Sequence, residues 1–520
     1  MLLHHPLEYL ARERPDHPLA ELGTTTIDYA AADVLANRFA NSLSALGLVK
    51  GDRIAYLSKN SIELIIMYYG CSKAGVIPVP LNYRLAPREC LYIVNDAECT
   101  AMFSETEFVS GLETVRDEMS TVKHFICVGS EQPINTWQPY QDWLGADSTH
   151  PKVAISDAEQ VYQMYTSGTT GNPKGAMISH RNVTQNIQMA ILHGEMGVAA
   201  DRNLIVAPLY HAAAAVTAMC MVAMGSTLVI LAEFDPVNVV NAMEAEKITM
   251  STLVPAMIQA CLVNVPDLAE RDLSSLRRIT YGANPIAKET LQAGMEKFAC
   301  DFNQGFGMTE LTCLATSLTP DVHRQAVAGD SGLLLSAGRA VAGTEMIIAD
   351  ENDNEVPRGT VGEILIKGPH VMMGYWKKPE ATEKTLKGGW MHTGDAAYMD
   401  EDGFIYIQDR IEDMIVSGAE NIYPAEIESV LFEHSAVADA AVVGIPDEKF
   451  GEAVLAFIVL KEGEEVTAEA IDVFCRERLA GYKVPRKVEF IDIIPRNASG
   501  KVLKRSLREP YWEGVERRVG

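Results

Sequence analysis

The sequence Tyr165-Thr166-Ser167-Gly168-Thr169-Thr170-Gly171-Asn172-Pro173-Lys174-Gly175 follows an apolar stretch at positions 161–165. An apolar run that ends at a turn is typical of a buried strand. The glycines let the backbone after that strand approach a ligand closely, while the hydroxyls and Lys174 add donors and positive charge, so the segment suits a polyphosphate. It is not a Walker A loop, because Pro173 precedes the lysine and no Ser or Thr follows it.

Helices and strands alternate on both sides of this loop. One helix is predicted from Leu35, Phe39, Leu43 and Leu46, which share a face, and it ends at Gly47. A strand at 53–57 comes next, followed by a second helix after Asn60 that ends at Gly75, and extended chain at 76–79. This rhythm continues to about residue 330 and predicts an α/β fold with helix-covered sheets.

The stretch Ala212 to Ala232 carries no charged residue and is long enough to cross a lipid bilayer. Gly225-Ser226-Thr227 divides it into an Ala/Met-rich half and a β-branched half. The composition therefore favours a buried helix, a turn and a buried strand over a membrane span.

The texture changes after about residue 338, where short strands such as 363–366 and 404–407 alternate with Gly, Pro and Asp turns. The charged run Asp409-Arg410-Ile411-Glu412-Asp413 then suggests a boundary. Beyond it, Pro424 can open a helix, strands are expected at 440–443 and 454–458, and a helix at 471–479. We therefore predict an N-terminal domain at 1–410, with a β-rich subdomain at about 338–410, and a small α+β domain at 411–520, which the family resemblance described below implies is mobile.

Composition narrows the class of protein. The 520 residues are 48% hydrophobic and 22% charged, which is typical of a globular chain. A net charge of −26 argues against binding to nucleic acid or anionic lipid. Nine scattered cysteines without a CxxC pair make a disulfide framework or zinc site improbable and favour the reducing cytosol. The first residues lack a signal-peptide pattern, and a homodimer is left open.

The segment at 165–175 resembles the phosphate-binding signature of the adenylate-forming superfamily, which includes acyl- and aryl-CoA synthetases, luciferases and peptide-synthetase adenylation domains. Five further blocks that resemble this superfamily follow in the expected order, so the resemblance covers nearly the whole chain: 281–286, 304–310, 393–395, 409–413 and 495–501. It implies that a carboxylic acid reacts with ATP, with the help of Mg²⁺, to an acyl-adenylate, and that the acyl group passes to coenzyme A.

The resemblance also assigns roles to single residues. Thr309 would hydrogen-bond the α-phosphate, and Glu310, together with Thr169, would hold Mg²⁺. The remaining phosphate-binding positions are Thr166, Ser167, Gly168, Thr170, Gly171 and Lys174.

The nucleoside would lie between further blocks. By resemblance, Phe306 stacks on adenine, Asp395 accepts both ribose hydroxyls and Arg410 assists there. The other nucleotide-binding positions are Gly282, Ala283, Asn284, Gln304, Gly305, Gly307, Met308 and Ile407. Relatives usually carry Tyr at position 306, and Phe keeps the stacking face while losing a hydroxyl. Asn284 replaces a smaller residue.

Lys501 is the catalytic residue that the resemblance implies, since a long ammonium in a loop can reach both the carboxylate and the α-phosphate. The second half-reaction implies rotation of the C-terminal domain about Glu412, where relatives carry Asp or Lys. Ser417, Gly418 and Ala419 would then line the pantetheine tunnel, and Ala419 stands where many relatives have Gly. His211 matches a gate at the inner end of the tunnel.

The small residues Ala212-Ala213-Ala214-Ala215-Val216 follow His211, and no charged residue that could pair with a substrate amino group is evident nearby. An apolar acid is therefore favoured, with a medium-chain fatty acid as the first choice. An aryl or phenylpropenoate acid of the ferulate, coumarate or benzoate type is the alternative. Other readings are an enzyme that loads a carrier protein, a luciferase-like oxygenase and a non-catalytic nucleotide-binding protein.

Overall fold

The computed structural model describes residues 1–166, 172–193, 198–284, 286–329, 331–417, 420–447, 449–496 and 502–512. The chain forms two compact units: unit 1 comprises Met1–Glu345 and Lys367–Met391, and unit 2 comprises Met346–Ile366 and His392–Gly520. These two units are defined by how compactly their residues pack. They do not test whether the chain after residue 410 moves as a separate domain, so that boundary stays a prediction.

Helices cover the sheets along the whole chain. Over the described residues they are α1 (His5–Glu13), α2 (Tyr29–Ala45), α3 (Ile62–Ala74), α4 (Pro87–Asp96), α5 (Thr106–Glu113), α6 (Tyr140–Trp143), α7 (His180–Leu192), α8 (Ala212–Met224), α9 (Pro236–Ala245), α10 (Pro255–Asn264), α11 (Lys288–Phe298), α12 (Pro320–Ala328), α13 (Pro379–Thr385), α14 (Pro424–Phe432), α15 (Ala468–Arg476) and α16 (Lys504–Arg508).

The strands are short and fall between these helices in the first half of the chain. In the described residues they are β1 (Pro18–Leu22), β2 (Thr25–Asp28), β3 (Arg53–Leu57), β4 (Ile77–Leu81), β5 (Ala101–Glu105), β6 (His124–Val128), β7 (Gln138–Pro139), β8 (Gln160–Thr166), β9 (Lys174–Ser179), β10 (Arg202–Ile205), β11 (Thr227–Ile230), β12 (Met250–Thr252), β13 (Arg278–Gly282), β14 (Asp301–Phe306), β15 (Thr316–Leu318), β16 (Arg339–Ala340), β17 (Glu345–Ala349), β18 (Gly362–Lys367), β19 (Gly374–Tyr375), β20 (Met391–Met399), β21 (Ile405–Arg410), β22 (Ile415–Ser417), β23 (Glu420–Ile422), β24 (Val437–Asp447), β25 (Gly451–Leu460) and β26 (Lys487–Phe490).

Three sheets form unit 1, as far as its residues are described. The largest has the order β16-β15-β14-β13-β12-β10-β11-β1-β2, and the run from β14 to β1 is parallel. A parallel sheet of order β4-β3-β5-β6-β7 and a small sheet of order β19-β9-β8 complete the unit. Parallel strands need crossover connections, and the helices between them supply these. The mixed α/β fold class is confirmed.

Local signals placed α3 correctly. The Ser61 side chain caps its start by accepting from the Leu64 amide, and Gly75 ends it with φ +69°, a conformation that costs glycine little. Every residue of α3 except Glu63 is buried. The helix packs against α2 and against strands of all three sheets, β1, β4 and β8, so that it forms a central layer.

The uncharged stretch after His211 forms α8, a turn at Gly225 and β11, as predicted. Gly225 is left-handed at φ +75° and ends the helix. Of the helices in the described part of the chain, none is both long enough and apolar enough to span a bilayer.

Unit 2 contains two sheets within its described residues. One has the order β17-β18-β20-β21, and the other has the order β23-β22-β25-β24 with β26 parallel to β25. Pro424 opens α14 as predicted, whereas the helix predicted at 471–479 is α15 and begins and ends three residues earlier. The reason is Thr467, whose side chain accepts from the Ala470 amide and starts the helix there.

Candidate active site

The signature loop joins the two strands of a hairpin in unit 1. β8 ends at Thr166 and β9 begins at Lys174, and these residues pair across the antiparallel ladder. The Thr166 hydroxyl oxygen lies 3.5 Å from the Lys174 carbonyl oxygen. Thr166 and Lys174 occupy paired positions at the base of the loop, from which a hydroxyl and an ammonium could both reach one anion. The predicted phosphate-binding residues Ser167, Gly168, Thr169, Thr170 and Gly171 lie outside the described residues.

Glu310 lies in a short 3-10 turn, Thr309–Leu311, that follows β14. Its residue surface is only 5% exposed, so it is not a solvated surface acid. Its Oε1 accepts hydrogen bonds from the Tyr375 hydroxyl at 2.7 Å and from the Thr166 hydroxyl at 3.4 Å. The structure thus brings together Thr166 and Glu310, which were predicted from separate blocks.

Sequence reasoning missed Tyr375. It reaches Glu310 because β19 pairs with β9, with Tyr375 opposite Ala176. The Lys174 Nζ lies 5.1 Å from the centre of the Tyr375 ring, within the range of a cation–π contact. No local pattern signals this meeting, because Tyr375 and Glu310 are 65 positions apart.

The oxygen donors around Glu310 fit a magnesium ion. Mg²⁺ binds through one or two carboxylates together with phosphate oxygens and waters. Glu310 supplies a buried carboxylate, and the two hydrogen bonds described above both end on Oε1. Oε2 would then hold the ion, which when bound neutralises charge on the phosphates. Thr169, the other predicted ligand, is outside the described part of the chain.

The two predicted adenine blocks lie next to each other because β13 and β14 are parallel neighbours. Tyr281 pairs with Gln304, and Gly282 pairs with Gly305, so the residues that follow both strands meet at one sheet edge. Ligands of open α/β sheets bind outside such carboxyl ends. Phe306, which ends β14, is half-buried, as is Met308 two residues later. The structure therefore brings the predicted adenine-binding residues together.

Gly282 and Gly307 lie so close to neighbouring backbone that no side chain would fit there. A Cβ on Gly282 would lie 2.2 Å from the Gly305 carbonyl oxygen, and a Cβ on Gly307 would lie 1.7 Å from that of Cys313. Ala283 adopts φ +68°, a conformation uncommon for residues other than glycine. The Gln304 Oε1 is buried, and no hydrogen-bond partner for it is found among the described residues. An unpaired buried acceptor beside this edge fits a ligand that carries N–H donors, such as adenine.

His211 is the N-cap residue of α8 and keeps part of its surface open to solvent. Surrounding protein desolvates the ring and, together with the charge of Arg84, lowers the pKa of His211 to about 4. The ring centroid lies 4.6 Å from that of Tyr210. The lowered pKa favours the neutral imidazole at physiological pH, and the ring lies beside that of Tyr210.

Asn60 fixes the segment that leads to His211. Its buried amide donates to the carbonyls of Val206, Ala207 and Leu231 at 3.1–3.3 Å, and its Oδ1 accepts from the Leu209 amide at 2.8 Å. This one side chain thereby connects the chain that follows β10 with the chain that follows β11. The sequence indicated Asn60 only as a helix start.

Asp395 and Arg410 meet in unit 2. They pair across β20 and β21, and Arg410 Nε lies 2.9 Å from Asp395 Oδ1. Arg410 also donates to the Thr393 carbonyl at 3.0 Å, and the Thr393 hydroxyl accepts from the Asp395 amide at 3.1 Å. Asp395 is thus a fixed, charge-balanced carboxylate of the kind that can accept two ribose hydroxyls. Ile407 is half-buried on β21, opposite Ala397.

The predicted hinge residue Glu412 lies in the 3-10 turn Ile411–Asp413. Arg508 of α16 donates to the Glu412 carbonyl at 3.1 Å and to Asp413 Oδ1 at 3.0 Å, so this turn is tied to the helix that follows the Lys501 loop. Ser417 is buried at the end of β22. Gly418, Ala419 and the catalytic candidate Lys501 are not among the described residues.

The fold and these groups are compatible with an enzyme that joins a nucleotide to an acid, and comparison with known proteins shows the family. The family model described as AMP-binding enzyme matches residues 7–376, and the model described as AMP-binding enzyme C-terminal domain matches residues 426–501.

The similarity to named relatives extends over nearly the whole chain. A fatty acid–[acyl-carrier-protein] ligase, ScoC, of Streptomyces coeruleorubidus is 35% identical, with 99% of each chain covered. A feruloyl-CoA synthase of an Amycolatopsis species is 36% identical, with 96% of this chain and 97% of that protein covered. The structure of o-succinylbenzoate CoA synthetase (MenE) from Bacillus subtilis with its acyl-adenylate intermediate superimposes with a TM-score of 0.85 at 30% identity, covering 96% of this chain and 97% of that one.

The chain therefore belongs to the AMP-binding enzyme family, in the acyl-CoA synthetase branch of the adenylate-forming superfamily. It is an AMP-forming acid–thiol ligase that works through an acyl-adenylate, with ATP and coenzyme A as co-substrates and Mg²⁺ as the standard metal of the family.

Proposed function

We propose that the acid is an apolar aliphatic acid of medium chain length, which the enzyme converts with ATP and coenzyme A to acyl-CoA, AMP and diphosphate. The observation that carries this proposal is the uncharged lining of a narrow crevice between α8 and the strands β10 and β12, which in this conformation has no room for a bound molecule. Its lining is Leu204, Ile205, Val206, Ala207, Ala214, Thr217 and Thr252.

The lining of the crevice supports an apolar substrate. It contains no charged side chain, and only Thr217 and Thr252 bring hydroxyls. An ammonium or a second carboxylate on the substrate would be desolvated there without a counterion, which is costly. The side chains at the start of α8, next to His211, are small, and the crevice would have to widen for an aliphatic chain to extend from that residue into it.

In the first half-reaction, an oxygen of the carboxylate forms a bond to the α-phosphorus of ATP, and the bond to the β-phosphate breaks to release diphosphate. Negative charge on the phosphates must be balanced as this occurs. We assign this role to Lys174, the hydroxyl of Thr166, the Thr309 hydroxyl at the α-phosphate, and Lys501. Glu310 would hold the metal, the strand ends at Gly282 and Gly305 would receive adenine, and Asp395 would receive the ribose.

In the second half-reaction, the thiol sulfur adds to the acyl carbonyl and the bond to AMP breaks, so that the thiol proton is released and AMP leaves. Neutral His211 suits a gate at this point, because an uncharged ring can move aside without the cost of exposing or burying a charge. Rotation about Glu412 would exchange the Lys501 loop for the segment at Ser417, Gly418 and Ala419, where pantetheine enters.

Two alternatives have specific support. The feruloyl-CoA synthase relative favours an aryl or phenylpropenoate acid of the ferulate, coumarate or benzoate type, which Thr217 and Thr252 could hydrogen-bond. The ScoC relative favours transfer to a carrier protein in place of coenzyme A.

Diphosphate release separates these possibilities. The purified enzyme is given ATP, Mg²⁺ and a series of straight-chain acids from two to sixteen carbons, or benzoate, coumarate and ferulate, each with coenzyme A, with a pantetheinylated carrier protein, or with neither. We expect the highest kcat/KM for six to twelve carbons with coenzyme A. A maximum with ferulate, or transfer only to the carrier protein, would replace the proposal by the corresponding alternative, and ADP as the product would contradict the reaction class.

A further inference from the structure

The contact between Tyr375 and Glu310 is a hydrogen bond between two buried groups. The phenol donates at 2.7 Å, and the residues are 7% and 5% exposed. A carboxylate removed from water needs donors, and a phenol supplies one without adding a charge that would compete with a bound cation. The pair therefore differs from an ion pair, which would neutralise Glu310.

Tyr375 is itself held from several directions. Its amide donates to the Thr382 hydroxyl at 2.9 Å, and its strand pairs with β9. Three residues earlier, the Met372 amide donates to the backbone carbonyl of Glu310 at 2.8 Å. The segment that carries the phenol is thus hydrogen-bonded to both the main chain and the side chain of Glu310.

The hydrogen bonds to the Glu310 carboxylate reach one of its two oxygens. In the described part of the chain, those of Tyr375 and Thr166 both end on Oε1. A carboxylate anchored through one oxygen keeps one rotamer and presents the other oxygen in a fixed place. Partners of this kind orient metal ligands and influence metal affinity strongly.

We propose that Tyr375 is a positioning residue for the enzyme's metal site: it anchors Oε1 of Glu310 and thereby holds Oε2 ready for Mg²⁺. The inference rests on the proposed role of Glu310 as the metal ligand. The Tyr375 ring also contacts the Lys174 ammonium. The same side chain therefore contacts both the cation of the phosphate loop and the Glu310 carboxylate.

Tyr375→Phe tests the proposal, since it removes only the hydroxyl. Mn²⁺ replaces Mg²⁺ as a spectroscopic probe, and its dissociation constant is measured by electron paramagnetic resonance in the presence of an ATP analogue with a methylene α–β bridge. We expect Tyr375→Phe to raise this constant about tenfold. Glu310→Gln should raise it further, and the double variant should bind no more weakly than Glu310→Gln alone, because Tyr375 acts through Glu310.

Tyr29→Phe is the matched control. It removes a buried phenol that donates to the Ser226 carbonyl at 2.8 Å, and it should lower the free energy of unfolding without changing Mn²⁺ binding. If Tyr375→Phe binds Mn²⁺ as the parent does while Glu310→Gln does not, the positioning role is wrong and the hydrogen bond is structural. If Glu310→Gln also binds Mn²⁺ unchanged, the metal role of Glu310 fails and the inference fails with it.

Discussion

Lys504 Nζ lies 2.9 Å from Glu428 Oε1, and both side chains are largely buried in unit 2. Asp409 Oδ2 is a second partner of the same ammonium at 3.7 Å. Burial raises the pKa of the Glu428 carboxyl, and the ammonium opposes that rise. We expect Lys504→Met to lower the free energy of unfolding by about 3 kcal/mol, because it leaves two carboxylates without their cation. Urea unfolding followed by circular dichroism measures the loss.

Lys487→Met is the control for this prediction. Lys487 pairs with Glu489 at 2.6 Å, but on the surface, where an ion pair contributes at most about 1 kcal/mol. If Lys504→Met and Lys487→Met lower the free energy of unfolding equally, the burial of Lys504 does not increase its contribution to stability.

Lys501→Ala should separate the two half-reactions. A cation that acts only in the transition state of adenylation can contribute several kcal/mol. We therefore expect acid-dependent ATP–diphosphate exchange to fall by more than about a hundredfold, which corresponds to about 2.7 kcal/mol. Thioester formation from preformed acyl-adenylate should persist. Similar losses in both assays would remove Lys501 from the adenylation step.

Asp395→Asn tests the ribose contact. A hydrogen bond to a charged group contributes about 1.5–3 kcal/mol, so losing the carboxylate should raise the KM for ATP at least about tenfold. The control is Asp400→Asn on the same hairpin, where Asp400 Oδ1 accepts from the Phe404 amide at 2.9 Å. That variant should affect stability and leave the KM for ATP near the parent value. A parent-like KM in Asp395→Asn would place the ribose elsewhere.

Local features of the fold could be predicted because their causes are local. The end of α3 at Gly75, the division of the uncharged stretch at Gly225 and the start of α14 at Pro424 each depend on the backbone preferences of one residue.

Long-range partners could not be predicted. β1 pairs with β11 although about two hundred positions separate them, and the fully buried ammonium of Lys73 finds Glu8 at 2.8 Å and Asp33 at 2.7 Å. Within the candidate site, the ordered blocks indicated Glu310 and Asp395, but Tyr375 and Asn60 emerge only when distant strands pair. Tyr375 and Asn60 form hydrogen bonds with Glu310 and with the segment before His211, and neither belongs to a recognisable sequence motif.

His370 makes the stability of unit 1 dependent on pH. Its side chain is fully buried, and within the described residues neither ring nitrogen has a hydrogen-bond partner. Burial lowers the pKa of His370 from its ordinary 6.5 to about 4. Between these two pH values the unfolded chain binds a proton that the folded chain does not, so the free energy of unfolding falls as the pH falls. Above pH 6.5 and below pH 4 this residue contributes no slope.

Lowering the pKa of His370 from 6.5 to about 4 changes the free energy of unfolding by about 3 kcal/mol in total between these two pH values. His370→Leu removes the titrating group and leaves no buried acceptor or donor behind, so we expect a flatter stability profile between pH 6.5 and pH 4. Urea unfolding at several pH values in this range gives the slope of the unfolding free energy against pH for the parent and for the variant. His4 and His180, whose pKa values burial also lowers, remain in both proteins and cancel in the comparison. Parallel profiles of parent and variant would show that His370 already carries its proton, or a partner for its nitrogens, in the folded protein.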